Sequence, residues 1–402
     1  GIDPAAGNEV DRWAHFVNIF MLDRDGNRIN RRNAQDIFFP LYNHQIPPGA
    51  AWTVHYGLDV PADISGPLTV SVKLQYRKFD AEYMRYVAER ARPGDVPLRG
   101  HEPGTPYVDR LPITTLAADE VTFEVVADEA AVPGATRDLA ARAIPAWERW
   151  NDYGIGLRVK GRAELRQAEE AFAAVERLGR YDGPLNLGRV FFEEGRVDDA
   201  AAALVRAAAH TEPAAPPWTL AWLSGLVNRQ QGRLEEAETN FRKVLEDRSP
   251  EMIARGFDFS LDYEVRNLLG LTLFDRASQF RGGAQAEQRR ALLESAAAEF
   301  AKTLALDSEN VAAHYNLQLI YGQLGDAERA EHHRREHQRY KLDDNAADRA
   351  VALAREKYPA ANFAAEAVVI YPLHRAGAPE LPATAAAVAS AAAAVSPPDP
   401  RP

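Results

Sequence analysis

With 402 residues, 46% of them hydrophobic and 26% charged, the chain is long enough for two or three domains with ordinary cores. Its net charge of −11 argues against a general nucleic-acid binder, which needs clustered Lys and Arg, and no apolar run approaches the roughly 18 residues of a membrane span. The absence of cysteine excludes disulfides, thiolate nucleophiles, zinc–thiolate sites and covalent haem attachment through C-x-x-C-H within these residues. Because the chain starts at Gly1 rather than Met, it reads as a processed product or a fragment, with no signal peptide to interpret.

After a short segment, 1–10, apolar residues alternate with polar ones over 11–128. Leu68, Val70, Val72, Leu74 and Tyr76 fall on one face of a strand, as do Val54, Tyr56, Leu58 and Val60. Two further β-rich runs lie at Val17–Leu22 and Val121–Val126, and turns at Asp25-Gly26, Pro47-Pro48-Gly49 and Ser65-Gly66-Pro67 separate them. The expectation is a small antiparallel β-sandwich. Asp23, Asp25 and Asn27 around Gly26 suggest a calcium loop, but an EF-hand wants glycine at its sixth position and an acid at its twelfth. Counted from Asp23 these fall elsewhere, so a hairpin turn is the better reading.

A linker and first helix, 129–145, lead into helical periodicity over 146–341, where the clearest stretch runs from Pro184 to Pro250. Gly188 is followed after seven residues by Gly195, after twelve by Ala200 and after sixteen by Leu204. Gly225 is followed at the same offsets by Gly232, Ala237 and Phe241. The spacing has a physical reading. Gly188 and Gly225 let a second helix approach the first, Gly195 and Gly232 end the first helix in a left-handed cap, and Leu204 and Phe241 plug the gap. Gly154, Ala168 and Phe172 fit an earlier unit, Gly270, Ala296 and Phe300 a fourth, and His314, Leu317, Tyr321, Gly325 and Ala330 a fifth, where the plug position falls on Arg334.

The segments "EEGRVDDAAAALVRAAA" and "RQQGRLEEAETNFRKVL" resemble the tetratricopeptide repeat, with its period of about 34 residues. The resemblance implies an α+β multidomain chain in which the β-sandwich precedes an α-helical solenoid of five repeats, 146–180, 181–213, 216–250, 262–308 and 310–341. Gly270 and Ala296 stand fourteen residues further apart than the period requires, so a helix is lengthened or a loop protrudes. A capping helix and extended run, 342–373, and an Ala/Pro-rich tail, 374–402, follow; 385–395 is expected to be transiently helical.

A second resemblance runs through "VNIFMLDRDGNRINRRNAQDIFFPLYNHQIPPGAAWTVHY", "LQYRKFDAEYMRYV", "LPITTLAADEVTF" and "YKLDDNAADRAVALAREKYPAANFAAEAVVIY". These are similar to the β-domain and C-terminal part of bacterial multihaem c-type cytochromes that carry tetratricopeptide repeats. That likeness implies an exported, periplasmic or extracellular protein serving electron transfer, with haem only in a domain upstream of these residues. No cofactor is expected in this chain itself.

Candidate chemistry is sparse. His333 and His337 are four apart on one helical face, but Arg334, Arg335 and Arg339 crowd them and no third ligand or H-E-x-x-H pattern is present, so a solvated or structural face is expected. No phosphate loop, nucleophile elbow or paired carboxylates appear, and no intrinsic enzyme activity or metal site is expected. Stacked repeats instead expose a groove lined by their first helices, which suits a protein or peptide partner, among them a multihaem cytochrome domain. Asn186, Arg189, Asn228, Asn267 and Gln318 are the candidate polar groups of that groove. Two alternatives stand beside the cytochrome reading: a haem-free repeat adaptor, and a glycan- or substrate-binding β-domain using Trp13, Trp52 and Tyr56.

Overall fold

The computed structural model describes residues 1–60, 62–64, 66–126 and 144–374. They divide into two compact units, one within Gly1–Pro48, Thr53–Ala141 and Asp344–Pro402, the other within Gly49–Trp52 and Arg142–Asp343. The Ala/Pro-rich tail beyond 374, and the expected start of the helical region before 144, lie outside the described residues.

The first unit begins with strands β1 (Ile2–Asp3), β2 (Glu9–Val10), β3 (Ile19–Leu22), β4 (Phe39–Asn43), β5 (His55–Gly57) and β6 (Leu68–Tyr76). Helix α1 (Ala81–Glu89) and strand β7 (Thr114–Phe123) follow. The expected sandwich is not what forms: the described strands make separate two-stranded ladders, among them β1–β2, β3–β4 and β6–β7, all antiparallel. In β6 the apolar face is only half covered at Leu68 and Val70, while Val72, Leu74 and Tyr76 are about half exposed, so no second sheet of the described residues lies on it. Helix α1 is invisible to a period-two reading, although Asp80 caps it in the usual way, its carboxylate accepting from the Tyr83 amide at 2.7 Å.

The second unit consists of five helix pairs joined in series. They are α2 (Ala146–Arg158) with α3 (Leu165–Arg177), α4 (Asp182–Glu193) with α5 (Val197–Ala208), and α6 (Pro217–Gln230) with α7 (Leu234–Glu246). After a short α8 (Pro250–Ala254) come α9 (Tyr263–Gln279) with α10 (Ala286–Leu306), and α11 (Val311–Leu324) with α12 (Ala327–Tyr340). The fourteen extra residues of the fourth pair lengthen its helices to 17 and 21 residues, joined by a tight turn at Gly282 and Gly283.

Each of the first four pairs closes on one contact. A methyl group added to Gly154, Gly225 or Gly270 would sit 2.6–2.8 Å from the ring of Phe172, Phe241 or Phe300, and one on Gly188 would sit 2.9 Å from Leu204 Cδ2. The three phenylalanines are fully buried, as are Ala168, Ala200, Ala237 and Ala296 at the neighbouring crossing. Truncating one of these rings would cost ~3–5 kcal/mol. Gly195, Gly232 and Gly325 end their first helices at φ of +80°, +77° and +81°, which a side chain with a Cβ adopts poorly. In the fifth pair Gln318 takes the glycine's place, Leu317 is buried and Ala330 half-buried. Its plug position, Arg334, pairs with Glu331 at 2.6 Å instead of filling a gap.

The chain then returns to the first unit through α13 (Asp344–Lys357), α14 (Pro359–Ala364) and β8 (Ile370–Pro372), the last pairing parallel with β5. Phe20 and Leu22 of β3 are buried against Ala354 and Ala361, so the C-terminal helices supply the core that a second sheet would have provided. Lys357 Nζ donates to the Asp25 carbonyl at 2.7 Å and to Asn27 Oδ1 at 2.9 Å, while Asp23 Oδ1 accepts from the amides of Asp25 and Asn27. The would-be calcium loop is thus a turn occupied by a lysine ammonium. Gly26, at φ +70°, lies under α13 with its added Cβ only 2.5 Å from the Ala350 carbonyl.

The ring contact predicts a contrast between two glycines. Gly225→Ala should destabilise the repeats by about 1–3 kcal/mol, because the Phe241 ring has nowhere to go. Gly283→Ala, with nothing within 4 Å and no positive φ, should stay within about 0.5 kcal/mol of the parent. Urea midpoints measured side by side decide it.

Candidate functional site

Successive first helices touch along the stack, α2 with α4, α4 with α6 and α9 with α11, whereas successive second helices stay further apart. That difference bends the repeats and puts the first helices on the inside. At 3.6 residues per turn, the positions three before, one after and four after each repeat glycine share one face. One residue after it stand Ile155, Arg189, Leu226, Leu271 and Leu319; four after it, Arg158, Phe192, Arg229, Phe274 and Gly322. Ile155, Phe192, Trp222, Leu226, Leu271 and Phe274 are half-buried, each with one side on the core and one side open. Trp222 packs on Phe241, ring centroids 5.9 Å apart, and touches the apolar clusters of both halves of the stack.

Polar groups on this face are mostly paired across repeats. Arg158 of α2 bridges to Glu193 of α4, and Arg229 of α6 to Asp275 of α9 at 2.6 Å. Asn186 donates to Asn151 Oδ1 at 2.9 Å, and Asn267 to Asn310 Oδ1 at 3.1 Å. Arg189 differs. It makes no hydrogen bond or ion pair among the described residues, and its Nε is buried without a partner. Burial, and then the Arg158 charge, pull its guanidinium pKa below the usual range, with Glu193 opposing.

The five polar residues expected from sequence do not share one face. Arg189, Asn186 and Asn267 lie on or beside the inner one. Asn228 is three residues past its glycine and off this face, where its Oδ1 accepts from Arg233 at 2.9 and 2.8 Å at the α6–α7 corner. Gln318 stands in the glycine slot itself. Arg158, Arg229, Phe192, Trp222 and Phe274 are the residues of this face that polarity alone does not pick out, although the fixed offset from the repeat glycine marks each of them.

Of the histidines of the last repeat, His314 is buried, His333 and His337 are half-buried and His332 is exposed. His314, 4% exposed, places Nε2 3.1 Å from the Ser308 carbonyl and Nδ1 3.0 Å from His333 Nδ1. The carbonyl needs a donor, so His314 carries its proton on Nε2 and His333 must donate from Nδ1. His333 stacks on Tyr321, over which Arg329 lies at 4.3 Å, and His314 stacks on Tyr340. The same two positions in the fourth repeat hold the ion pair Arg266–Glu299 at 3.2 Å. His337, four residues on, turns to the Val311 carbonyl at 3.2 Å instead of joining His333. Among the described residues no group of three or more His, Asp or Glu is placed to hold a metal ion.

Other features are spent on structure. A cavity of about 730 Å³ between α10 and the α11–α12 turn has charged walls that pair with each other, Arg290 with Glu294 at 2.9 Å and Arg329 with Asp326 at 2.6 Å. Trp13 packs edge-on against Phe363 inside the first unit, and Tyr56, 46% exposed, leans on Tyr371. No helix among the described residues is long and apolar enough to cross a membrane.

The tetratricopeptide repeat family model matches residues 153–217 and 185–253, so the chain contains tetratricopeptide repeats. Solved structures that resemble it include a mutant form of MamA, at 21% identity and TM-score 0.35, covering 48% of this chain and 97% of that one. Another is YrrB, described as a TPR protein with an unusual peptide-binding site, at 16% identity and TM-score 0.37, covering 50% of this chain and 89% of that one. A third is MamA from Desulfovibrio magneticus RS-1, at 14% identity and TM-score 0.36, covering 48% and 94%. No curated protein matches the chain.

The histidine pair predicts acid lability. Burial first, then His314, His332 and Arg329, hold the His333 imidazole down to about 4, with Glu336 opposing. The unfolded chain takes up this proton below about 6.5. Stability contributed by the neutral His333 imidazole is therefore complete above pH ~6.5, falls as the pH drops toward ~4, and levels off below that. Melting temperature plotted against pH should slope across this window, and His333→Phe should flatten the slope.

Proposed function

We propose that this chain is a protein-interaction scaffold whose inner repeat face binds an extended segment of a partner, and that it performs no catalysis of its own. The observation that carries the reading is the set of half-buried apolar side chains on that face, Ile155, Phe192, Trp222, Leu226, Leu271 and Phe274, interspersed with arginines. A helical stack seals its core with such residues only from behind, so their open sides offer apolar area at ~25 cal/mol per Å² to whatever covers them. Bound backbone amides would meet the Asn151–Asn186 and Asn267–Asn310 pairs at the edge of the same face.

In the finer reading this scaffold is the C-terminal region of an exported multihaem c-type cytochrome, organising a haem domain and its electron-transfer partners in the periplasm or outside the cell. Support comes from the sequence likeness of the first unit and of 340–371, which together form one packed unit here through β3, α13 and the β5–β8 pair. Haem would belong to the upstream domain, since this chain has no cysteine to hold it covalently.

Two measurements test these readings separately. Leu226→Asp places a charge in the middle of the apolar row; at a temperature where circular dichroism shows the variant still helical, it should abolish binding of peptides selected from a display library by the parent protein. Unchanged binding would remove the face from consideration. The protein isolated from its source should have a mass well above that of 402 residues and a Soret band. A haem-free protein of this mass points instead to a separate adaptor.

A further inference from the structure

Arg189 occupies a position that the other four repeats fill with Ile155, Leu226, Leu271 and Leu319. At that position an aliphatic side chain seals the inner surface of the core, and a guanidinium does so poorly. Here it stands half-buried, its Nε shut away from solvent and its donors without an acceptor among the described residues. Glu193, the carboxylate whose charge acts on Arg189, is already held by Arg158. Burying an unpaired cation costs stability, and the repeat architecture offers no structural return for it.

We infer that Arg189 is the anchor for an Asp or Glu side chain in the partner segment, which makes the ligand of this face an extended peptide with one acidic residue between apolar ones. The inference rests on the reading of the inner face as a peptide site. A carboxylate matches the fork of guanidinium donors and restores the missing charge, and the bond is of the strong, charge-assisted kind. Apolar neighbours in the peptide would lie on Phe192 and Ile155 to either side, and on Trp222 and Leu226 of the next repeat. The acid is a side chain rather than a chain terminus because the face runs on past Arg189 in both directions, over α2 on one side and over α6 and beyond on the other.

The test is a random dodecapeptide display library with blocked C-termini, selected in parallel on the parent protein, on Arg189→Leu and on Leu226→Asp. The parent should enrich peptides carrying one Asp or Glu flanked by apolar residues. Their affinity for Arg189→Leu should fall roughly ten- to a hundredfold, and replacing the acid by Asn or Gln should produce the same loss with the parent, about the effect of one charge-assisted bond. Arg189→Leu should still bind apolar peptides and should melt at a higher temperature than the parent. Enrichment without an acid preference, or an acid preference that survives in Arg189→Leu, would overturn the inference while leaving the peptide site standing. So would a lower melting temperature for Arg189→Leu, or tighter binding of peptides whose only carboxylate is a free C-terminus. If nothing is enriched by the parent, or if Leu226→Asp enriches the same peptides, the peptide site itself falls.

Discussion

The repeat half of this protein depends on a void left by glycine and filled by one large side chain. At Gly154, Gly225 and Gly270 the void takes a phenylalanine ring, and at Gly188 a leucine. Because the filling side chain comes from the second helix of the same pair, the contact fixes how closely the two helices approach and at what angle. The neighbouring alanines, Ala168, Ala200, Ala237 and Ala296, are fully buried where the backbones cross. Stacking then repeats the same joint, and the tilt between joints decides which face is turned inward.

Where that joint is missing, polar groups take over. The fifth repeat has Gln318 for glycine and Arg334 for the plug, and its two helices meet instead through His314 and His333. The fourth repeat carries both solutions, the Phe300 plug and the Arg266–Glu299 pair at the histidines' positions. In the fifth repeat the contact rests on the His333 imidazole, which burial holds down to about 4. The fifth repeat therefore carries an internal contact that acid weakens.

The first unit is held together by chain ends that are far apart in sequence. Phe20 and Leu22 are covered by Ala354 and Ala361, and β5 finds its partner in Ile370–Pro372. Gly26 leaves room for α13, and Lys357 fills the loop that Asp23, Asp25 and Asn27 form. Two-stranded ladders are marginal by themselves. Around β3–β4 and β5 the residues from 344 onward supply the missing layer, so the short strands and the C-terminal helices are one folding problem.

The sequence by itself determined the repeats, because their information is local: a glycine, an alanine and a plug at fixed offsets describe a joint made within a single helix pair. Hence Gly225, Ala237 and Phe241 could be assigned roles without coordinates, and so could the caps at Gly195 and Gly232. Alternation in 68–76 likewise marked a strand, but it could not say what covers its faces, since burial of a strand depends on residues far away along the chain. That is why a sandwich was expected where small ladders and C-terminal helices stand. The same limit applied to the inner face. Polarity points to Asn228, yet only the fold shows it turned to Arg233, and polarity gives no sign of Phe192, Trp222 or Phe274. Arg189 was visible as a charge, but that it lacks a partner is a statement about everything around it, and only tertiary structure can make it.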